Sequence, residues 1–351
     1  MEIGLFLPNW IGDAVMATPA LRAIRRRFAG ERIVAVGKPV LADLFAGSDY
    51  FDEFVPFKKR AKANDPAANF WTLRRRLARR LDLAILFPNS FSVAALACVC
   101  GAKRRVGYAR DGRSWLLTDR LSAPRAKRKW LPIPAIDYYL GLATAVGAAT
   151  HDRTMSLAVT ESERTLRETL LARVGFNSRS PLVVINNAAA TSPSRVWPED
   201  HAARLARKLV REQDCRVLFH CGPGEREATN ALVERIADAR VASMGFAKDL
   251  PIGLTKAVIE RADLVVSTDS GPRHVAVALK RPTISLFGST DPAWTSNDSG
   301  LETYAEVELG CRPCWKAKCP LSHHDCLNQL TPASVLRQAT RLLDDADRNV
   351  A

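Results

Sequence analysis

The stretch from Leu264 to Pro292, LVVSTDSGPRHVAVALKRPTISLFGSTDP, leaves few folds open to this chain. An apolar, β-branched run from Leu264 to Ser267 stops at the polar turn Thr268, Asp269, Ser270, Gly271, and Pro272 then opens a helical pattern that carries His274. A second apolar run, Thr283 to Phe287, ends in another turn of small residues, Gly288 to Pro292. Strand, loop, helix and strand make a βαβ unit. Its two loops lie at the carboxyl ends of neighbouring parallel strands, where open α/β sheets bind their ligands. The first loop also opens a helix N-terminus, so the backbone amides of Ser270 and Gly271 and the helix dipole favour an anion such as phosphate. Asp269 beside them is poorly suited to hold phosphate and well suited to accept hydrogen bonds from sugar hydroxyls.

The same alternation runs through the chain. Ile3 to Leu7, Ile33 to Val36 and Leu83 to Phe87 predict strands in the first half; Leu182 to Asn186, Arg216 to His220 and Val241 to Met244 precede the two already named in the second. A helix is predicted from about Ala14 to Phe28, with Asp13 at or beside its N-cap. With 351 residues, about two domains are expected. The chain changes from Ala- and Gly-rich to charged around His151 to Arg173. The boundary is placed there, giving domains over 1–165 and 166–332 and a terminal helix over 333–351 that returns to the first domain. The fold class is α/β, two Rossmann-like domains facing across a cleft.

Charge separates the halves. Of the formal net charge of +14, residues 1–150 carry +13 (25 Lys and Arg against 12 Asp and Glu), leaving +1 for the remainder. A basic half implies an anionic partner: nucleic acid, an acidic membrane surface or a phosphorylated substrate. Its clusters are Lys58, Lys59, Arg60; Arg74, Arg75, Arg76; Lys103, Arg104, Arg105; and Arg125, Lys127, Arg128, Lys129. No zinc-finger, helix-turn-helix or RNP-like pattern accompanies them, so nucleic acid is not the expected partner. No G-x-G-x-x-G follows the first strand, which disfavours a dinucleotide oxidoreductase. The start of the chain has no basic n-region or long apolar run, so a cytoplasmic location is expected. The run from Phe91 to Ala102 falls short of the roughly 20 apolar residues a bilayer span needs and is read as a buried helix.

TDSGPRH followed by PTISLFGSTDP closely resembles the donor-site signature of the bacterial lipopolysaccharide heptosyltransferases, glycosyltransferase family 9. The opening LPNWIGDAVMATPALRAIR, the loop NNAAATSPSRVWPEDHAARLARKL and the turn HCGPGEREATN resemble the same family, most like its type II members. The resemblance spans nearly the whole chain. It implies the glycosyltransferase B fold and an inverting transferase that moves heptose from ADP-L-glycero-D-manno-heptose onto the inner core of lipopolysaccharide. Asp13 matches the family's proposed catalytic base. Thr191, Ser192 and Arg195, the last where the family has Lys, are implied for the diphosphate. Glu225, with Glu227 close behind, is implied for the ribose, with helix capping the competing reading. Asp269, Ser270, Gly271 and His274 complete the donor set. Asn9, Asn89 and Ser90, joined by Lys103, Arg104 and Arg105, are assigned to the acceptor.

The partners implied are an ADP-heptose donor, a phosphorylated lipid A–core oligosaccharide acceptor and, peripherally, the anionic cytoplasmic face of the inner membrane. No cofactor is expected, because Arg195, Thr191 and the Ser270–Gly271 amides replace a divalent cation at the leaving diphosphate. A related transferase acting with another sugar or at another core position is the alternative, and a basic nucleic-acid-binding protein the alternative of another class. Of eight cysteines, Cys98, Cys100, Cys215 and Cys221 lie in apolar runs and read as core thiols. Cys311, Cys314, Cys319 and Cys326, spaced C-x2-C-x4-C-x6-C, have the residue types of a structural zinc site without a standard spacing, and no metal is assigned.

Overall fold

Nearly continuous apolar runs form strands buried on both faces, as parallel sheets require. In the first half these are β1 (Glu2–Phe6), followed by helices α1 (Ile11–Met16) and α2 (Thr18–Arg27); β2 (Arg32–Gly37), then α3 (Val40–Leu44); and β3 (Glu53–Pro56), then α4 (Phe70–Leu77). After them come β4 (Leu83–Leu86), α5 (Phe91–Val99), β5 (Arg104–Tyr108), β6 (Asp119–Leu121), the hairpin β7 (Arg125–Ala126) and β8 (Lys129–Trp130), and α6 (Ala135–Ala145). The second half holds α7 (Glu161–Arg173), β9 (Leu182–Asn186), α8 (Glu199–Glu212), β10 (Arg216–Phe219), α9 (Arg226–Ile236), β11 (Val241–Ser243) and α10 (Ile252–Arg261). It continues with β12 (Leu264–Thr268), α11 (Gly271–Ala278), β13 (Thr283–Phe287), β14 (Glu302–Glu306), α12 (Asp325–Asn328) and α13 (Pro332–Arg348). The computed structural model describes residues 1–58, 70–77, 81–126, 129–131, 133–176, 180–188 and 192–348. Lys59, Arg60, Lys127, Arg128 and Thr191 lie outside the described residues.

The chain divides into two units, Met1–Ala158 with Ala293–Asp298, and Val159–Pro292 with Ser299–Ala351. Each holds a six-stranded parallel sheet, in the orders β3-β2-β1-β4-β5-β6 and β11-β10-β9-β12-β13-β14. Strand order therefore reverses between β1 and β4 in one unit and between β9 and β12 in the other. In open α/β sheets such switch points are where the ligand crevice opens.

Six strands were not anticipated: β3, β5, β6, β14 and the two short hairpin strands β7 and β8. β3, β6 and β14 are edge strands with one neighbour each, and the polar sequence of β14, ETYAE, reflects that. The charges of Arg104 and Arg105 hide the start of β5. The helix expected over 14–28 is two helices, because Pro19 has no amide to give Val15; the Val15 carbonyl accepts from the Thr18 hydroxyl instead (2.7 Å). Asp13 is consequently the third residue of α1 and caps nothing, the cap position being Trp10.

The boundary falls before α7, not within it. A capping box, in which the Thr160 hydroxyl accepts from Glu163 N and the Glu163 carboxylate from Thr160 N, starts this helix as one piece, and buried Glu163 pairs with fully buried Lys256 of α10 (2.9 Å). The terminal helix α13 buries Val335, Leu336, Ala339 and Leu343 in the second unit's core. That core also takes Trp197, whose indole donates to the Leu330 carbonyl (2.8 Å). Cys100, Cys215 and Cys221 are buried, whereas Cys98 is exposed on the outer face of α5.

Candidate active site

In the first unit, α1 directly follows β1 and carries Asp13 at the switch point. Asp13 Oδ1 accepts a hydrogen bond from the Tyr139 hydroxyl on α6 (3.2 Å), and Oδ2 has no partner among the described residues. Burial raises the Asp13 pKa above the ordinary carboxylate value, opposed by the Tyr139 hydrogen bond. Tyr139 itself is wedged against Phe87 at the end of β4 (5.7 Å between centroids). Asn89 and Ser90 follow β4, on the other side of the same switch point. Asn9 is exposed on the loop after β1 and lines, with Ser90, an apolar cavity of about 840 Å³ walled by Leu7, Val36, Phe57, Phe91 and Leu96. A sugar needs polar partners on several sides, and these walls offer few.

Lys103, Arg104 and Arg105 do not join this group. In the parallel register Arg104 stands beside Leu83, the first residue of β4, so the cluster occupies the amino ends of the strands. Asp13 and Asn89 follow the carboxyl ends, a strand length away, roughly 15 Å. The three are engaged locally: Lys103 with Asp82 (2.7 Å), Arg104 with Asp119 (2.6 Å), and Arg105 with the carbonyls of Leu116 and Ala102 (both 2.6 Å). Sequence shows that a charge run is present without showing which end of a strand it occupies.

The second unit builds its site in the same way. Asp269 follows β12, and its carboxylate is almost fully used: Oδ1 accepts from Arg273 Nη1 (2.8 Å), and Oδ2 accepts from the Thr290 hydroxyl (2.7 Å) and faces Arg195 Nη1 (3.4 Å). Arg195, about one-third exposed, also donates to the Asp269 carbonyl (3.3 Å). Burial alone would raise the Asp269 pKa, but the guanidinium charges of Arg273 and Arg195 outweigh it and hold the carboxyl below its ordinary value. Arg273 is fully buried and forks onto Glu302 of β14 (2.7 and 3.2 Å), whose Oε1 also accepts from the Ser285 hydroxyl. Sequence reading passed over Arg273. Its signal was a charge four residues after Asp269, in the first turn of an otherwise apolar helix.

Ser270 precedes α11 in an extended conformation, and its hydroxyl accepts from Asn186 Nδ2 (2.8 Å) instead of capping the helix. Asn186 Oδ1 in turn accepts from His220 Nδ1 (2.9 Å); burial lowers the His220 pKa to about 4, so the ring is neutral and Nε2 accepts from the Thr255 hydroxyl (3.1 Å). This buried polar relay ties β9 to β12 beneath the loop. His274 is buried with Nδ1 unpartnered among the described residues. Burial, then the charge of Arg273, lowers its pKa to about 3, which keeps the ring neutral.

Glu225 accepts from Gly222 N (2.9 Å) and so caps its own turn, the competing reading made before; one carboxylate oxygen remains. Glu227 is exposed in the first turn of α9. Ser192 closes the turn to Arg195 through its carbonyl (2.9 Å).

The cysteine segment has a place in this unit that its spacing did not reveal. Ser194 is buried between Ser289 (Oγ to Oγ, 2.9 Å) and the Lys316 carbonyl, Ser194 N donates to Ala317 O (3.0 Å), and His324 Nε2 meets the Ser194 carbonyl (2.9 Å). Cys314 N and Trp315 N both donate to Ser289 O (3.1 and 2.9 Å), and Arg312 Nε donates to Gly288 O (2.6 Å). The segment thus clasps the two loops that carry Arg195 and Thr290. Cys311, Cys314, Cys319 and Cys326 are free thiols, and among the described residues no group of three or more His, Cys, Asp or Glu side chains is arranged to hold a metal ion.

These two half-sites can be set beside known proteins. A model of glycosyltransferase family 9 (heptosyltransferase) matches residues 70–324. The chain is 23% identical to lipooligosaccharide heptosyltransferase 2 of Campylobacter jejuni over 99% of both chains, and 25% identical to lipopolysaccharide heptosyltransferase 2 of Salmonella typhimurium over 98% of this chain and 99% of that one. Among solved structures it resembles ADP-heptose LPS heptosyltransferase II of E. coli (TM-score 0.79, 23% identity, 99% of this chain and 100% of that one). It also resembles a family 9 glycosyl transferase of Veillonella parvula (TM-score 0.81, 19% identity, 98% and 97%). With most of its length matched by the family model and its fold shared with these enzymes, the chain belongs to glycosyltransferase family 9, the heptosyltransferases.

Proposed function

We propose that this enzyme transfers heptose from ADP-heptose to the inner core of lipopolysaccharide, with inversion at the anomeric carbon. The reading rests on what each unit holds at its own switch point: in the first, a partly buried Asp13 carboxylate oxygen with no partner among the described residues; in the second, a cluster of cations fixed around Asp269. Asp13 Oδ2 takes the proton of the acceptor hydroxyl as that oxygen attacks the anomeric carbon. The bond from that carbon to the diphosphate breaks, and its electron pair leaves on ADP. Negative charge growing on the diphosphate meets Arg195 and the uncapped amides at the start of α11. Asp269, with three donors already on its carboxylate, acts first by holding Arg195 in place and retains at most one lone pair for a donor-sugar hydroxyl. Neutral His274 is a candidate donor to the diphosphate. Ser192, Thr191 and the free oxygen of Glu225 complete the donor contacts, Glu227 lying nearby. Asn9, Asn89 and Ser90 receive the acceptor.

The basic clusters of the first unit, among them Lys103, Arg104 and Arg105 at the amino ends of its strands, draw the enzyme to the anionic membrane that carries its acceptor, an attachment that is peripheral. Among the described residues no helix is long and apolar enough to cross a membrane. Calorimetric titration with ADP, UDP and GDP, each with and without attached sugar, tests the reading. Selective binding of ADP and ADP-heptose is expected, and preference for another nucleotide would redirect it to a different donor.

A further inference from the structure

Beneath the loop after β4 lies a fully buried cation that the mechanism does not use. Arg113 Nε donates to the Tyr108 carbonyl (3.0 Å), Nη1 to the Pro88 carbonyl and Nη2 to Asn89 Oδ1 (3.2 Å). Among the described residues no carboxylate pairs with it; Asp111, the acid that acts on it at a distance, is exposed. The Tyr138 hydroxyl donates to the same Asn89 oxygen (2.9 Å). Tyr138 is itself held by stacking on Tyr108 (3.8 Å between centroids), an arrangement that needs glycine at 141, where a Cβ would stand 2.3 Å from the Tyr108 hydroxyl.

These contacts decide which way Asn89 points. A guanidinium has only donors, so the atom facing Arg113 must be the carbonyl oxygen, and Tyr138 supplies a second donor to it. A flipped amide would set NH2 against the guanidinium. Asn89 Nδ2, whose two hydrogens have no partner among the described residues, is therefore the only part offered to a ligand. Behind it stands an uncompensated buried charge, and Arg110 lies beside the Tyr138 hydroxyl. We propose that Asn89, locked by Arg113 and Tyr138, is a donor-only subsite for an anionic oxygen, carboxylate or phosphate, on the acceptor, with Arg113 and Tyr138 as positioning residues. The proposal rests on the reading of the first unit as the acceptor half and adds the polarity of what that half recognises.

Asn89→Asp keeps both bonds to Oδ1 and gives Arg113 a carboxylate, so it should unfold no lower than the parent, while replacing the outward donor with a repelling oxygen. Steady-state kinetics with phosphorylated core oligosaccharide should show acceptor KM raised at least about tenfold, more than for Asn89→Ala, with kcat and ADP affinity little changed. Tyr138→Phe should give a smaller rise in KM. Repeating the assay with dephosphorylated and carboxyl-reduced oligosaccharide identifies the group: the Asn89→Asp penalty should disappear with the form that lacks it. A KM for Asn89→Asp no worse than for Asn89→Ala, or a penalty equal on all three forms, overturns the proposal. The side-chain amide resonance of Asn89 in the parent protein, assigned by its loss in Asn89→Asp, gives a reading independent of turnover. It should shift on titration with the phosphorylated oligosaccharide, and an unmoved resonance overturns the subsite even if heptose is transferred. Absence of transfer by the parent enzyme would overturn the proposed function alone, and the resonance would still decide this one.

Discussion

The acid limb of the rate profile is where Asp13 and Tyr139 can be seen acting together. A general base works ionised, so the rate falls as pH drops through the Asp13 pKa, which burial sets above the ordinary carboxylate value and the Tyr139 hydroxyl pulls back down. Tyr139→Phe removes the lowering contact. Its acid limb should therefore move to higher pH with the alkaline plateau largely kept, and a limb that stays put or moves to lower pH would separate Tyr139 from the base. Arg273 makes a second prediction. Removing it in Arg273→Met strands Glu302 and Asp269 in the interior, and the loss of a buried ion-pair partner typically costs about 3–5 kcal/mol. Denaturant unfolding should show a loss of that order, with ADP binding weakened because Asp269 no longer fixes Arg195; a stable variant with normal ADP affinity would contradict it. Asp13 and Asp269 stood out in the sequence because each follows a predictable strand, and Arg195 through its place in the loop that resembles the family's. The sequence could not reveal Tyr139 or Arg113, whose partners are chosen by tertiary packing and stand up to 126 residues away in the case of Tyr139 and Asp13, whereas Arg273 left a local signal four residues after Asp269.

Among elements, the central strands apart from β5 were legible because burial on both faces leaves them apolar, whereas edge strands such as β14 need be apolar on little of their surface. The break between α1 and α2 was written in Pro19, yet the apolar spacing runs on across it. The loops at the β9/β12 switch have a chemical consequence. In the proposed mechanism charge on the leaving diphosphate is met by Arg195 and by α11's first amides in place of a divalent ion, so transfer should survive exhaustive EDTA. Loss of transfer restored by Mg²⁺ or Mn²⁺ would contradict this. Loss restored only by Zn²⁺ would assign metal to the cysteine segment, which clasps the Arg195 and Thr290 loops and would loosen both on losing it.

For the whole molecule, the charge asymmetry of +13 against +1 was legible by counting, but its orientation was not. Lys103, Arg104 and Arg105 stand at the amino ends of their strands, so the role proposed for them is attraction to an anionic surface and not contact with the acceptor. Each basic residue near an anionic leaflet contributes about 1 kcal/mol and is screened beyond roughly a Debye length. Sedimentation with anionic liposomes should show binding that falls steeply with salt and weakens when the three are neutralised, while acceptor KM measured with soluble oligosaccharide stays unchanged. A raised KM would return the cluster to the acceptor site. The most direct measurement for the account is the product itself, by mass spectrometry and anomeric NMR of a heptose-deficient core oligosaccharide incubated with enzyme and ADP-heptose. One heptose should be added with inverted anomeric configuration for each ADP released. Asp13→Asn should bind ADP normally and transfer at least about a hundredfold more slowly. Retention of configuration, or undiminished transfer by Asp13→Asn, would contradict the account.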